Sequence, residues 1–125
     1  MIISTRIPPI YFKCKEVFGV NWDFGIAITY GDTVYSKNPI PLHIRAHEQV
    51  HIEQQAIKGA KEWWDRYLVE KEFRLSQEIP AYKAQAEYIK AHNKGWMPQI
   101  RKLAADMESM YGGMITYKEA LNLLL

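Results

Sequence analysis

The segment Asn38–Gly59, which reads NPIPLHIRAHEQVHIEQQAIKG, divides the chain into two different kinds of sequence. Proline cannot donate a hydrogen bond to a sheet, and the residue before it avoids helical backbone, so Pro39 and Pro41 end any strand that precedes them. No further proline or glycine occurs until Gly59, a natural helix end. Apolar residues recur near helical spacing between these limits: Leu42, Ala46, Val50 and Ile57. The segment therefore predicts a helix over about 42–58.

The forty residues before this helix have the character of a sheet. Aromatic, β-branched and turn-forming residues are frequent there, and Phe24–Tyr30 alternates large and small side chains as a strand does. Gly31-Asp32 provides a turn, after which Thr33–Tyr35 returns as the partner strand. This part of the chain predicts a short antiparallel hairpin or small sheet.

The remainder of the chain is rich in Ala, Glu, Lys, Gln and Leu and predicts further helices. Their expected starting points are Ala60, Ser76, Pro98 and Thr116. The first should reach about Leu75 and place Trp63 and Trp64 in the core. The second should have Ser76 as its cap and Pro80 in or just after its first turn, where proline is tolerated. About four to five helices thus follow the hairpin.

Length and composition are those of one globular domain. The 125 residues, 48% of them apolar and 24% charged, favour a single α+β domain over 1–125, with a β part at about 1–40 and a helical part at 42–125. The single cysteine excludes a disulfide framework.

Net charge is only +2 and the basic residues are scattered, so nucleic acid is not an expected partner. With neither a signal-peptide pattern nor a membrane-spanning run, we expect a cytoplasmic protein that does not bind membranes.

The predicted helix carries the motif that points to chemistry, His47-Glu48-Gln49-Val50-His51, which has the HExxH spacing. Residues four apart lie one turn apart on the same helix face, so both imidazoles can point at one ion. Neutral imidazole nitrogen is a preferred ligand of the zinc ion (Zn2+). The intervening glutamate reaches a water at the metal and can accept its proton. The motif predicts His47 and His51 as zinc ligands and Glu48 as general base; the alternative is two partly buried helix histidines.

A zinc ion with three protein ligands and a water needs one more side chain. Glu78 is the expected third ligand, because it lies 27 residues after His51 and the predicted helix from Ala60 fits that gap. Other carboxylates compete for this role but have an equally good interpretation as solvated helix surface: Glu70, Glu72, Glu87 and, less favoured, Asp65.

The two remaining histidines are not expected to bind the same ion. His43 lies one turn before His47, but it is about 12 Å from His51 along the helix axis, which one zinc ion does not bridge. His43 is therefore predicted to lie at the rim of the site, and His92 on the surface.

Over residues 24–90 the chain resembles the gluzincin branch of zinc metallopeptidases, in which HExxH supplies two ligands and a later glutamate the third. More narrowly it is similar to the small HExxH domains of bacterial injection-particle and phage-associated proteins. There a β segment with a glycine turn precedes a helix of the form A-H-E-x-x-H-x-x-Q, here Ala46–Gln54, and Glu78–Tyr82 supplies E-x-x-A-Y. The resemblance implies a zincin-like fold with His47, His51 and Glu78 as ligands and Glu48 as general base.

The activity that the resemblance implies is zinc-dependent hydrolysis of peptide bonds in a peptide or protein substrate. A second donor to the oxyanion is expected from Tyr82 or His43. The substrate would pair its backbone with a short strand such as Gly25–Tyr30. Arg45 and Glu53 depart from the pattern of such peptidases and favour an alternative, a noncatalytic zinc-binding structural or interaction module with a degenerate site, in a larger assembly or with a protein partner.

Overall fold

The computed structural model describes residues 1–125 and contains three strands, one 3-10 turn and six helices. The elements are β1 (Ile2–Ser4), α1 (Tyr11–Phe18), β2 (Ala27–Tyr30), β3 (Thr33–Ser36), α2 (Leu42–Lys58), α3 (Ala60–Val69), α4 (Lys71–His92), α5 (Met97–Met110) and α6 (Tyr117–Leu124). The predicted α+β class is confirmed, because a β-hairpin precedes five helices. The predicted bounds of α2 are confirmed as well.

The sheet has the order β1-β3-β2, so β2 is an edge strand. β2 and β3 form the predicted antiparallel hairpin, in which Ile28 lies opposite Tyr35. Gly31 has φ +65 in the connecting turn, a conformation that favours glycine. β1 pairs parallel to β3 and, like α1, lies outside the elements predicted from the sequence. Both belong to the part of the chain that was expected to be wholly β in character.

The predicted boundary between the first and second of the helices that follow α2 is wrong. α3 ends at Val69 rather than near Leu75, because Glu70 has extended backbone. α4 then begins at Lys71 and continues through Ser76 and Pro80. Ser76 does not cap a helix; its hydroxyl donates to the Phe73 carbonyl one turn earlier at 2.6 Å. Pro80 lies in the middle of α4, where packing of that helix against α2 compensates for the missing backbone donor.

Two apolar clusters flank α2. The C-terminal cluster joins the second half of α4 to α5 and α6 and is centred on Ile100, Met107 and Leu124. The N-terminal cluster joins α1, β2 and α3 and includes Trp63 and Trp64, as expected. No helix combines the length and the apolar character that crossing a bilayer requires.

The face of α2 that packs between these clusters is polar. Its buried residues are His47, Glu48, His51 and Gln55. The apolar residues at the two ends of the helix face solvent instead, with Leu42 59% exposed and Ile57 79% exposed. Burying polar groups is costly unless each has a partner, and every side-chain nitrogen and oxygen that is completely shielded from solvent here has one. The buried polar face of α2 therefore holds chemically active side chains in fixed positions inside the domain.

Candidate metal centre

Three side chains from two helices converge at the middle of the molecule. His47 and His51 project from successive turns of α2, and Glu78 approaches from α4. Glu78 Oε1 lies 3.1 Å from His47 Nε2 and 2.7 Å from His51 Nε2, and the two Nε2 atoms are 3.2 Å apart. All three residues are buried. We refer to them as the metal triad, because their ligand atoms all face one point.

The spacing of these atoms fits a zinc ion. A tetrahedral zinc with ligands at about 2.0–2.2 Å has its ligand atoms about 3.3 Å apart. The three separations in the metal triad fall short of that value by between 0.1 Å and a little over half an ångström. Small side-chain rotations are enough to open the triangle around the ion. Two imidazoles and a carboxylate also form one of the ligand sets found in catalytic zinc sites, which leave a fourth position open.

Two glutamine side chains determine which nitrogen of each imidazole is free. Gln54 donates to the Gln77 carbonyl at 2.8 Å, so its amide oxygen is the atom that faces His51 Nδ1, also at 2.8 Å. Gln85 Oε1 lies 3.0 Å from His47 Nδ1. An amide oxygen accepts a hydrogen bond here, so both Nδ1 atoms carry hydrogen, and Nε2 is the nitrogen of each ring that can bind a metal ion. The glutamines therefore orient both rings with Nε2 toward the shared point.

Charge within the metal triad favours a cation. Burial disfavours a charged imidazole, but the Glu78 carboxylate outweighs that effect and raises the pKa of His51 to about 9. Burial also opposes charge on Glu78, yet the two histidines hold the pKa of this carboxyl well below its ordinary value. Glu78 is therefore ionised at neutral pH. A metal ion competes with a proton for His51 Nε2, so metal binding releases protons.

Glu48, the glutamate inside the motif, is fixed from the sheet. Its side chain is buried, and Thr29 Oγ1 on β2 donates to Glu48 Oε2 at 2.8 Å. The other carboxylate oxygen, Oε1, has no hydrogen-bond partner within the protein. Glu48 lines the same cavity as His47 and Glu78, so its free oxygen can accept a proton from a water in the part of the cavity that the metal triad borders.

Three tyrosines surround the metal triad. Tyr67 donates to Glu78 Oε2 at 2.5 Å, and burial together with that carboxylate raises the pKa of Tyr67 well above its ordinary value. Tyr82, the predicted catalytic tyrosine, packs its ring edge-on against His47 with centroids 4.7 Å apart. Its hydroxyl contacts Met110 Sδ at 3.6 Å. Burial raises the pKa of Tyr82 and Tyr111, so both phenols keep their protons.

A cavity of about 770 Å³ opens onto the site, and most of its lining side chains are hydrophobic. His47, Glu48 and Glu78 form part of its wall, and Tyr82 and Tyr111 form another part. Gly25–Ile28 at the start of β2 also lines it. A cavity of this size can hold a small ligand beside the metal triad.

The other carboxylates that the sequence offers as a third ligand lie away from the metal triad. Glu70 pairs with Arg66 and Asp65 with Lys61, both on the surface. Glu72 and Glu87 are exposed. His43 lines the cavity and its Nδ1 accepts from Gln85 Nε2 at 2.9 Å, which agrees with a place at the rim of the site. His92 is exposed and stacks on Tyr88, with centroids 3.9 Å apart.

Sequence reasoning missed the side chains that orient the site. Thr29, Gln54, Gln85 and Tyr67 are common residue types, and nothing in a single sequence distinguishes a threonine that bonds a carboxylate from one on a surface. Gln54 alone had a usable signal, because it lies three residues after His51 and so on the same face of the predicted helix.

No family model matches the chain, and searches of curated proteins and of solved structures find no match either. The functional assignment therefore depends on the geometry and chemistry of the site itself.

Proposed function

We infer that the protein is a small zinc-dependent peptidase of the gluzincin type, with a zincin-like arrangement of the HExxH helix and the third ligand. The observation that carries this proposal is the metal triad with Glu48 beside it. Three candidate ligand atoms lie close enough together to hold one metal ion, and a carboxylate held by Thr29 keeps one oxygen free. Structural zinc sites have four protein ligands, whereas three ligands next to a free base favour catalysis.

His47, His51 and Glu78 would hold the zinc ion. When bound, zinc lowers the pKa of a water toward about 7 and polarises the carbonyl of a peptide bond. Glu48 accepts the proton of the attacking water through its free oxygen and then donates it to the leaving amine. Thr29 keeps the carboxylate in place during both transfers.

The edge strand β2 supports the backbone of the substrate. The carbonyl of Thr29 accepts from Gln55 Nε2 at 2.9 Å and from Trp64 Nε1 at 3.0 Å, so it points away from β3. Backbone groups alternate in direction along a strand, and Ala27 therefore presents its N–H and carbonyl toward the same side. Ala27 lines the cavity. An extended peptide pairs with the N–H and carbonyl of Ala27 and passes the metal triad.

The developing oxyanion needs a donor besides zinc. Tyr82 and Tyr111 line the cavity and keep their protons, and Tyr82 packs directly on His47. Tyr82 remains the first choice, with Tyr111 and His43 as the other donors along the same wall. A Tyr82→Phe variant should lower kcat more than it raises KM, because the bond forms only in the transition state.

Metal analysis of the purified protein tests the ligand assignment. Wild type should hold one zinc per chain after dialysis, and His47→Ala and Glu78→Ala should each lose it. His92→Ala is the matched control, because His92 is a surface histidine and should leave the zinc content unchanged. A zinc content of zero in wild type, or a full zinc content in Glu78→Ala, contradicts the proposal.

Peptide cleavage separates catalysis from metal binding. Wild type, loaded with zinc, should cleave bonds in a peptide library, and Glu48→Gln should lose at least about 10³-fold in kcat/KM while retaining zinc. The alternative is a noncatalytic zinc module, in which zinc only stabilises the fold. That alternative is favoured if both proteins bind zinc and neither cleaves any peptide.

A further inference from the structure

The cavity face of α4 carries a positive charge one turn from the metal triad. Arg74, Glu78 and Tyr82 are four residues apart, so they lie on successive turns of one face, about 6 Å apart along the helix axis. All three line the cavity. Arg74 is the only lysine or arginine in that lining.

The guanidinium of Arg74 is held in place without an anionic partner. Its Nε donates to the Tyr67 carbonyl at 2.9 Å and its Nη2 donates to the Leu68 carbonyl at 3.3 Å. Its Cζ lies 4.6 Å from the centre of the Phe18 ring. No carboxylate lies within ion-pairing distance, whereas the surface Arg66 forms a pair with Glu70.

This arrangement leaves some N–H groups of the Arg74 guanidinium without an acceptor. None of the protein's hydrogen bonds uses Arg74 Nη1, and Nη2 has a second hydrogen. These hydrogens lie side by side at the end of the guanidinium and match the two oxygens of a carboxylate. An oriented cation with unused donors in the wall of a mostly apolar cavity is suited to binding an anion.

We propose that Arg74 binds a carboxylate of the peptide substrate on the C-terminal side of the bond that is cleaved. The enzyme then acts near the end of a chain and releases short C-terminal fragments. This inference rests on the proposed function, because it names the substrate class of the same site. The carboxylate has two possible sources, the C-terminus of the peptide or an Asp or Glu side chain near it. We favour the C-terminus, because a chain end enters a cavity more easily than the middle of a chain does.

The distance between Arg74 and the metal triad limits the fragment length. The Arg74 Cζ atom lies 5.5 Å from the centre of the Tyr67 ring, and the hydroxyl of that ring contacts Glu78. The guanidinium is therefore at most roughly 15 Å from the zinc position, and an extended peptide advances about 3.4 Å per residue. The carboxylate consequently lies at most about four residues beyond the cleaved bond.

Three N-acetylated pentapeptides of alanine and leucine test the proposal on the zinc-loaded protein. One ends in a free acid, one in an amide, and one in an amide with glutamate as its last residue. Wild type should favour the free acid over the plain amide by about 10- to 100-fold in kcat/KM, which is the range of a charge-assisted bidentate bond. A preference for the glutamate peptide instead assigns the side chain as the source of the carboxylate.

Variants of Arg74 separate recognition from folding. Arg74→Gln should abolish the preference among the three peptides, and Arg74→Lys should keep a reduced one, because lysine keeps the charge but not the fork. Any damage to the fold lowers cleavage of the plain amide equally, so the ratio of the rates is the measurement. Arg66→Gln, a surface control, should keep the full ratio. Equal rates on all three peptides in wild type, or an unchanged ratio in Arg74→Gln, overturn the proposal.

Binding to the zinc-loaded Glu48→Gln protein distinguishes this inference from the proposed function. Calorimetric titration with the same free-acid and amide peptides needs no hydrolysis. Tighter binding of the acid that disappears in Glu48→Gln/Arg74→Gln supports the role of Arg74, even if wild type cleaves nothing and the peptidase proposal fails. If wild type instead cleaves the free-acid and amide peptides equally well, the peptidase proposal survives and the inference about Arg74 fails.

Discussion

Helices α2 and α5 bury opposite kinds of surface. The buried residues of α5 are apolar: Ile100, Leu103, Ala104 and Met107. Those of α2 are polar: His47, Glu48, His51 and Gln55. Apolar burial stabilises the fold by about 25 cal/mol per Å², whereas a buried polar group contributes little beyond offsetting its own desolvation. The difference indicates that α5 stabilises the domain, and that α2 positions chemical groups inside it.

The largest expected difference between the two helices is that zinc binding at α2 stabilises the protein. At a free concentration 1,000 times its Kd, zinc should raise the free energy of unfolding by about 4 kcal/mol, because only the folded chain has the metal triad. Denaturant unfolding with and without a chelator measures this difference. His51→Ala should show no response to zinc, and His92→Ala the full response. An unchanged midpoint in wild type contradicts the contrast.

Truncation of α5 should have the next largest effect and should spare the site. Ile100 is fully buried, and Ile100→Ala should lower the free energy of unfolding by about 3 kcal/mol through lost burial and a residual cavity. The zinc content of the folded protein should not change. Arg101→Ala, at the exposed neighbouring position, should cost less than about 0.5 kcal/mol. Loss of zinc in Ile100→Ala would show that the two helices are not independent.

Gln55 tests whether polar burial on α2 depends on its partners. Its amide accepts from the Gly31 N–H at 2.6 Å and donates to the Thr29 carbonyl, which ties α2 to β2. Gln55→Leu should lower the free energy of unfolding by about 2 kcal/mol, because it leaves the Gly31 N–H without that acceptor. Met107→Leu on α5, also buried, should cost less than about 1.5 kcal/mol, because shape matters there and polarity does not. Equal costs in the two variants would contradict this interpretation.

Substitution of Thr29 is expected to have the smallest effect, and that effect should be confined to kcat. Thr29→Val removes the hydrogen bond to Glu48 and should lower kcat about tenfold, or about 1.4 kcal/mol, because the carboxylate is less well oriented. Thr29→Ser keeps a hydroxyl and should restore most of the rate. Zinc affinity, measured by competition with a chelator, should be equal in all three proteins. A fall in zinc affinity in Thr29→Val would assign Thr29 a structural role.

The elements that the sequence predicted correctly have strong local signals. Paired prolines and a distant glycine delimit α2, and Thr116, the predicted start of α6, forms a capping box with Glu119. The separation from His51 predicts Glu78 as the third ligand, and the structure places it against both histidines. In each of these cases the decisive residues are close in sequence or belong to a motif of fixed spacing.

The elements that escaped prediction depend on distant contacts. β1 is three residues long and exists through its parallel pairing with β3, about thirty residues later. α1 has no side chain that caps its N-terminus. Pro80 locally favours a helix start, but packing of α4 against α2 extends the helix through it. The polar face of α2 was equally hidden, because hydropathy favours burial of Leu42 and Ile57, both of which are exposed.

The position of the metal triad in the chain has a consequence for assembly of the protein. All three residues of the metal triad lie between residues 47 and 78, so the α2–α3–α4 unit contains every group proposed to bind the ion. Glu48, the proposed base, is in contrast oriented by Thr29 from the earlier hairpin. On the proposed function, one contiguous helical segment is enough to bind the ion during folding, whereas the base is oriented only after the hairpin has docked onto it.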